Sequence, residues 1–226
     1  MIRLQKSETL KRKIRQDDPP DLAIPTWDLV REAILEGKAT EAIDLMEYEC
    51  GISKIMHDLL IQMLDDFITH IAITQGEEEV EKVWRKIFTP FVKNRIALSP
   101  TVEETLQMDA EFARAHLGDF TVVEEPDRYV LTCHPCGSGG RLRQIRDVEG
   151  TKKAYPWSWS KTGVSYYCIH CPLMWEIIPT EIQRYPIRIN LLGDKPGDPC
   201  IHLHYKKPEL IPEEYFTRIG KTKTVK

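Results

Sequence analysis

Two C-x-x-C pairs, Cys133/Cys136 in "CHPCGSGGRL" and Cys168/Cys171 in "YYCIHCP", carry the strongest chemical signal in the chain. A tight turn can aim both sulfurs of such a pair at one point. Two turns together supply the four thiolates of a tetrahedral Zn2+ at about 2.3 Å. Cys133, Cys136, Cys168 and Cys171 are therefore the candidate metal ligands and Zn2+ the candidate cofactor. The 31 residues between Cys136 and Cys168 exceed the ~15–20 of common zinc sites, which implies an insertion between two knuckles. An iron–sulfur cluster and redox-active thiols are the alternatives for the same spacing. Four thiolates would close the site and make it structural, whereas a catalytic zinc keeps one position open. Cys200, His202 and His204 alternate along "CIHLHY", so a strand would place all three on one face, where they could complete or vacate that position.

The flanking residues suggest a small-molecule pocket. In the run Gly137, Ser138, Gly139 and Gly140, amides could converge on an anion, with Arg141 gripping a carboxylate in bidentate fashion. Packing around a knuckle is the competing reason for those glycines. Trp157 and Trp159 in the intervening segment read as a pocket wall or lid, or else as the small core that holds that loop. His116, at the end of a helix, and His170, inside a C-x-x-C loop, are the candidate proton carriers. Asp66 and His70 stand at i, i+4 on one helix face, where they could pair.

Those groups need elements to hold them, and the pattern supplies an α+β chain. Residues 1–20 read as a basic flexible tail. Residues 21–118 read as a helical region with five helices. Apolar positions mark the first at Trp27, Val30 and Ile34, a second stopping at Gly51, and a third carrying Ile55, Leu59, Met63, Phe67 and Ile71 up to Gly76. The fourth is expected to bend or break near Pro90. The fifth is expected to start with Ser99 as N-cap and Pro100 at N1. Residues 119–217 read as a mostly antiparallel sheet domain carrying the Cys-rich metal site. Its strands are expected at "FTVVEE", "RYVLTCH", "LMWEIIP", "IRINLL" and "CIHLHYK", with a hairpin turn at Glu125–Arg128. Residues 218–226 read as a second basic tail.

Composition narrows the setting. A formal net charge of −4 and 29% charged residues argue against nucleic acid as a partner. No apolar run reaches the ~18 residues of a membrane span, and no secretory leader is evident. The six cysteines therefore read as reduced, in a cytoplasmic protein. From "YYCIHCP", "FARAHLGDFTVVEEPDRYVLTCHPCGSGGRL" and "RYPIRINLLGDKPGDPCIHLHYKKP", the chain resembles bacterial proteins of the L-2-amino-thiazoline-4-carboxylic acid hydrolase family. It looks more distantly like four-vinyl-reductase-type small-molecule-binding domains. The resemblance, over roughly residues 50–210, implies a compact domain with cysteines near a small-molecule cavity. It also implies hydrolysis of a small carbon–nitrogen or carbon–sulfur compound, or ligand sensing. The expectation is a zinc-containing enzyme, a metal-assisted hydrolase or lyase on a small carboxylated, anionic substrate. The alternative is a non-enzymatic zinc-stabilised ligand-binding or sensor module.

Overall fold

Capping and amphipathic periodicity set most of the elements. In the computed structural model, which describes residues 3–225, helices and antiparallel sheets mix in an α+β arrangement. The chain divides into two compact units, residues 1–59 and 60–226. The division falls inside one helix rather than at residue 118.

The first unit opens with a correction. Residues expected as a flexible tail form an antiparallel hairpin of β1 (Arg3–Ser7) and β2 (Arg12–Gln16). Helix α1 (Thr26–Leu35) buries Leu29, Val30 and Ala33 against Ala42 and Leu45, with Leu4 of the hairpin beside them. Trp27 and Ile34, read as its apolar face, are exposed.

Helix α2 (Ala39–Gln75) is continuous where two helices were expected. Gly51 lies in its interior, and a helical glycine costs only about 1 kcal/mol relative to alanine. That is too little to force a stop. Gly76 at φ 103° does end it. The apolar stripe that marks this helix does not coincide with its buried face: Ile55, Leu59, Met63 and Phe67 are all at least 44% exposed, while Ile68 and Ala72 are buried.

In the second unit, α3 (Glu77–Ala97) runs through Pro90 without ending. Helix α4 (Val102–Ala115) is capped by Thr101 rather than Ser99. The Thr101 hydroxyl accepts from the Glu104 amide at 3.2 Å and the Glu104 carboxylate accepts from the Thr101 amide at 2.8 Å, a complete capping box. Then come β3 (Phe120–Glu124), β4 (Arg128–Cys133) and α5 (Gly139–Ile145), followed much later in the chain by β5 (Ile189–Leu191) and β6 (Cys200–Tyr205). The four strands form one antiparallel sheet in the order β3-β4-β6-β5. The β3–β4 turn is the expected Glu125–Arg128.

"LMWEIIP" is helical, not a strand. Pro172–Ile177 form a π-helical segment that continues into α6 (Ile178–Gln183). An apolar run buried on every side has no period with which to tell strand from helix, and prolines at early helical positions favour the helix. This segment carries Glu176, which is fully buried. Its Oε1 accepts from Trp159 Nε1 at 2.9 Å and from the Asn190 amide at 2.9 Å, and Oε2 pairs with Arg218 at 2.9 Å. Arg218 follows the short α7 (Glu213–Thr217), and Ile219 beside it is 1% exposed. The start of the expected C-terminal tail is thus part of the core.

A second buried carboxylate is less well served. Asp65 is 1% exposed, its Oδ1 has no partner among the described residues, and Arg146 Nε stands 4.0 Å from Oδ2. Burial pushes its pKa up to about 6. The unfolded chain releases this proton near pH 4. The cost of burying the charge is therefore absent at lower pH, grows between about pH 4 and 6, and is complete above that. Asp65→Asn is expected to stabilise the protein by up to about 3 kcal/mol at about pH 8 and to change nothing at about pH 4. Urea midpoints at the two pH values check this; equal shifts at both would contradict it.

Candidate functional site

The sheet register brings the two chemically marked segments together. In the β4–β6 pairing Cys133 lies opposite Cys200, Leu131 opposite His202 and Tyr129 opposite His204. Period-two alternation then turns Cys200, His202 and His204 inward, and all three are buried. Helix α4 packs over this face and contributes Asp109, 2% exposed. One carboxylate holds three groups: Oδ1 accepts from Arg188 Nη1, and Oδ2 accepts from His202 Nδ1 at 3.0 Å and from His204 Nε2 at 2.9 Å.

This arrangement fixes both imidazoles. Burial, followed by the Arg188 charge, holds His202 and His204 well below the usual histidine range, so both are neutral near pH 7. Each therefore puts its one proton toward Asp109. His202 is the Nδ1–H tautomer with Nε2 as a free base, and His204 is the Nε2–H tautomer, whose Nδ1 has no partner among the described residues.

His202 lines two small adjoining cavities of about 70 and 20 Å3, both also lined by Cys136, Ser138, His170 and Cys171. His116 and Cys133 border the larger, Cys168, Cys200 and Trp159 the smaller. All six cysteines are unbridged. Their environments differ sharply. Cys136 precedes α5. Its sulfur accepts hydrogen bonds from the Cys200 thiol, the Ser138 hydroxyl and the Ser138 and Gly140 amides, which together hold its pKa well below the usual thiol range against the effect of burial. The Cys136 Sγ to Ser138 Oγ distance is 3.3 Å. Burial pushes Cys133 and Cys168 up to about 12 and Cys171 well above the usual range. Cys200 is also raised, first because its proton is shared with Cys136. The cluster thus holds one stabilised thiolate among thiols.

His170 donates Nδ1–H to the Tyr167 carbonyl at 2.7 Å, and its Nε2 lies 3.3 Å from Cys171 Sγ. Burial lowers its pKa. His134, in the other C-x-x-C loop, instead reaches Thr121 at 3.0 Å on the surface.

Several sequence-based roles change here. Arg141 donates to the carbonyls of His116 and Leu117 at 3.1 and 3.2 Å and so closes the C-terminus of α4. The glycine run permits close packing. A Cβ on Gly137 would lie 2.5 Å from the His116 carbonyl oxygen, and one on Gly139 would lie 2.6 Å from Cys168 Sγ. Trp157 stacks on Tyr155 at 4.2 Å in the core, whereas Trp159 lines the cysteine cavity. Asp66 pairs with Arg146 at 2.6 Å rather than with His70. Among the described residues, no group of three or more His, Cys, Asp or Glu side chains stands where it could hold a metal ion.

The sequence reading missed Asp109, Arg188 and Glu176. Asp109 shares the i, i+3, i+4, i+7 stripe of Leu106, Ala110 and Ala113, so an acid on an apolar face was its one visible sign. No protein-family model, curated protein or solved structure matches the chain.

Gly139→Ala is expected to cost about 1–3 kcal/mol, because the Cys168 thiol and the Tyr167 ring must move. Denaturant unfolding checks this. An unchanged midpoint would restore the reading of this run as a ligand-binding loop.

Proposed function

We propose that the chain is a thiol-dependent redox protein that reduces a small oxidant of the peroxide class. In this reading Cys136 is the reacting thiolate, Cys200 the resolving thiol and His202 the proton carrier. What supports it is the placement of Cys136 and Cys200 on one small cavity, with the Ser138 hydroxyl 3.3 Å from the Cys136 sulfur, in surroundings that lower the Cys136 pKa and raise that of Cys200. Low-pKa cysteines beside a resolving cysteine are the ones that cycle through sulfenic acid. The cavity size agrees. About 70 Å3 admits a few heavy atoms, far below the ~300 Å3 of pockets that enclose a ring-bearing substrate.

The proposed sequence balances. The Cys136 thiolate attacks one peroxide oxygen, the O–O bond breaks, and the departing hydroxide leaves as water after taking up from solvent the proton that Cys136 released on ionising. Cys200 then gives its proton to His202 Nε2 and attacks the Cys136 sulfenic sulfur. The S–O bond breaks and the hydroxyl leaves as water with that proton. Two thiols and one peroxide become a disulfide and two waters, and an external dithiol would restore the thiols. Asp109 keeps Nε2 of His202 unprotonated and oriented, and takes no proton itself.

Zinc-assisted hydrolysis is the competing use of the same cysteines, and one experiment separates the two. Reduced protein is analysed for bound metal, then treated with hydrogen peroxide and peptide-mapped. The account expects no stoichiometric zinc and a Cys136–Cys200 disulfide. Cys200→Ser should stop at a sulfenic acid trapped on Cys136, and His202→Gln should slow disulfide closure roughly a hundredfold, the low end of a general-base contribution. One zinc per chain, or oxidation that spares Cys136, would overturn it.

A further inference from the structure

A second cavity in the second unit is lined by no cysteine. It encloses about 320 Å3 between the end of α3, the start of α4, the segment after α6, and β6. That volume is in the range of pockets that hold small organic ligands. Its walls include Ile96, Val102, Ile187, Ile189, Leu203 and Ile211, and no aspartate or glutamate lines it. Three cations do. Lys206 is paired with Glu124 at 2.6 Å, and Arg188 is committed to Asp109 and Asn190. Arg95 is not committed.

Arg95 is 3% exposed, yet Nε and Nη1 have no hydrogen-bond partner among the described residues, and Nη2 reaches only the Thr105 carbonyl at 3.4 Å. Among the described residues it forms no ion pair with a carboxylate, while Arg188 and Lys206 each do. Its guanidinium lies 5.1 Å from the Trp175 ring, while Arg188 covers the same ring at 4.2 Å. Two guanidinium groups thus share one indole, and Asp109 compensates one of them. A buried, unpaired cation is among the costliest groups a fold can carry, and arginine does not shed its proton to escape that cost. A guanidinium grips the two oxygens of a carboxylate through Nη2 together with either Nε or Nη1; here both of those partners are free and Nη2, which carries two hydrogens, is engaged only at 3.4 Å by the Thr105 carbonyl.

We infer that this cavity is a binding site for a small organic monocarboxylate with an apolar body, its carboxylate on Arg95 and its body among the isoleucine, valine and leucine walls. The site is independent of the thiol chemistry. Occupancy would supply the missing countercharge, so the ligand should stabilise the fold as well as bind to it.

Full-length protein is titrated with benzoate and with hexanoate by calorimetry, with benzamide as the neutral control. The Arg95 Nε–H resonance is followed in the same titration by NMR. One or both acids are expected to bind and to shift that resonance, and benzamide to bind at least roughly tenfold more weakly, the factor carried by a charge-assisted hydrogen bond. Arg95→Met is expected to abolish acid binding while raising the melting temperature, since it removes the unpaired charge. Binding of benzamide equal to that of benzoate, undiminished acid binding by the variant, or an unmoved Arg95 resonance at millimolar acid would overturn the assignment. The wild-type resonance decides the matter even if the variant does not fold.

Discussion

Asp109 is the constraint on which the site depends. A carboxylate from α4, 2% exposed, ties that helix to β6 through His202 and His204 and to the strand before it through Arg188. A buried anion survives only when its lone pairs are used, and here three donors from other elements use them. The same bonds that pay its desolvation also decide which ring nitrogen of each histidine carries a proton. Packing and proton chemistry are therefore one interaction at this position, and removing the carboxylate would leave Arg188 as an uncompensated charge beneath Trp175.

Around that anchor, five cysteines occupy one region but not one environment. Desolvation keeps Cys133, Cys168 and Cys171 as thiols. Cys136 differs because the chain turns into α5 directly after it, aiming the Ser138 and Gly140 amides at its sulfur. The tightness of that turn depends on Gly137 and Gly139, where any side chain would strike the His116 carbonyl or the Cys168 sulfur. The glycines of "GSGGRL" thus matter through approach distance, and Arg141 matters by ending α4 so that Gly118 and Gly137 can meet. Local backbone geometry sorts the thiols, and tertiary burial widens the difference.

Much of the scaffold was legible. Four of five expected strands, the β3–β4 turn and the shared face of Cys200, His202 and His204 followed from alternation and turn residues, whereas the burial of that face did not. The errors have physical causes. "LMWEIIP" is buried all round, so its apolar run had no period to read, and the charged Glu176 within it was a sign of internal pairing. The stripe at Ile55, Leu59, Met63 and Phe67 has helical spacing but is exposed, because periodicity identifies an apolar face without saying whether this chain covers it. The cysteines stood out by type and spacing. Asp109, Arg188 and Arg95 did not, since acids and bases on amphipathic elements usually face water, and only the tertiary fold reveals which are buried.

The most direct measurement is the protonation of the two histidines on Asp109, by long-range proton–nitrogen correlation NMR of the reduced protein near neutral pH. The account predicts two neutral rings of opposite tautomer: His202 protonated on Nδ1 and His204 on Nε2. A charged imidazolium at either position, or His202 protonated on Nε2, would mean that Asp109 does not set the proton pattern of the site, and the role given to His202 would fall with it.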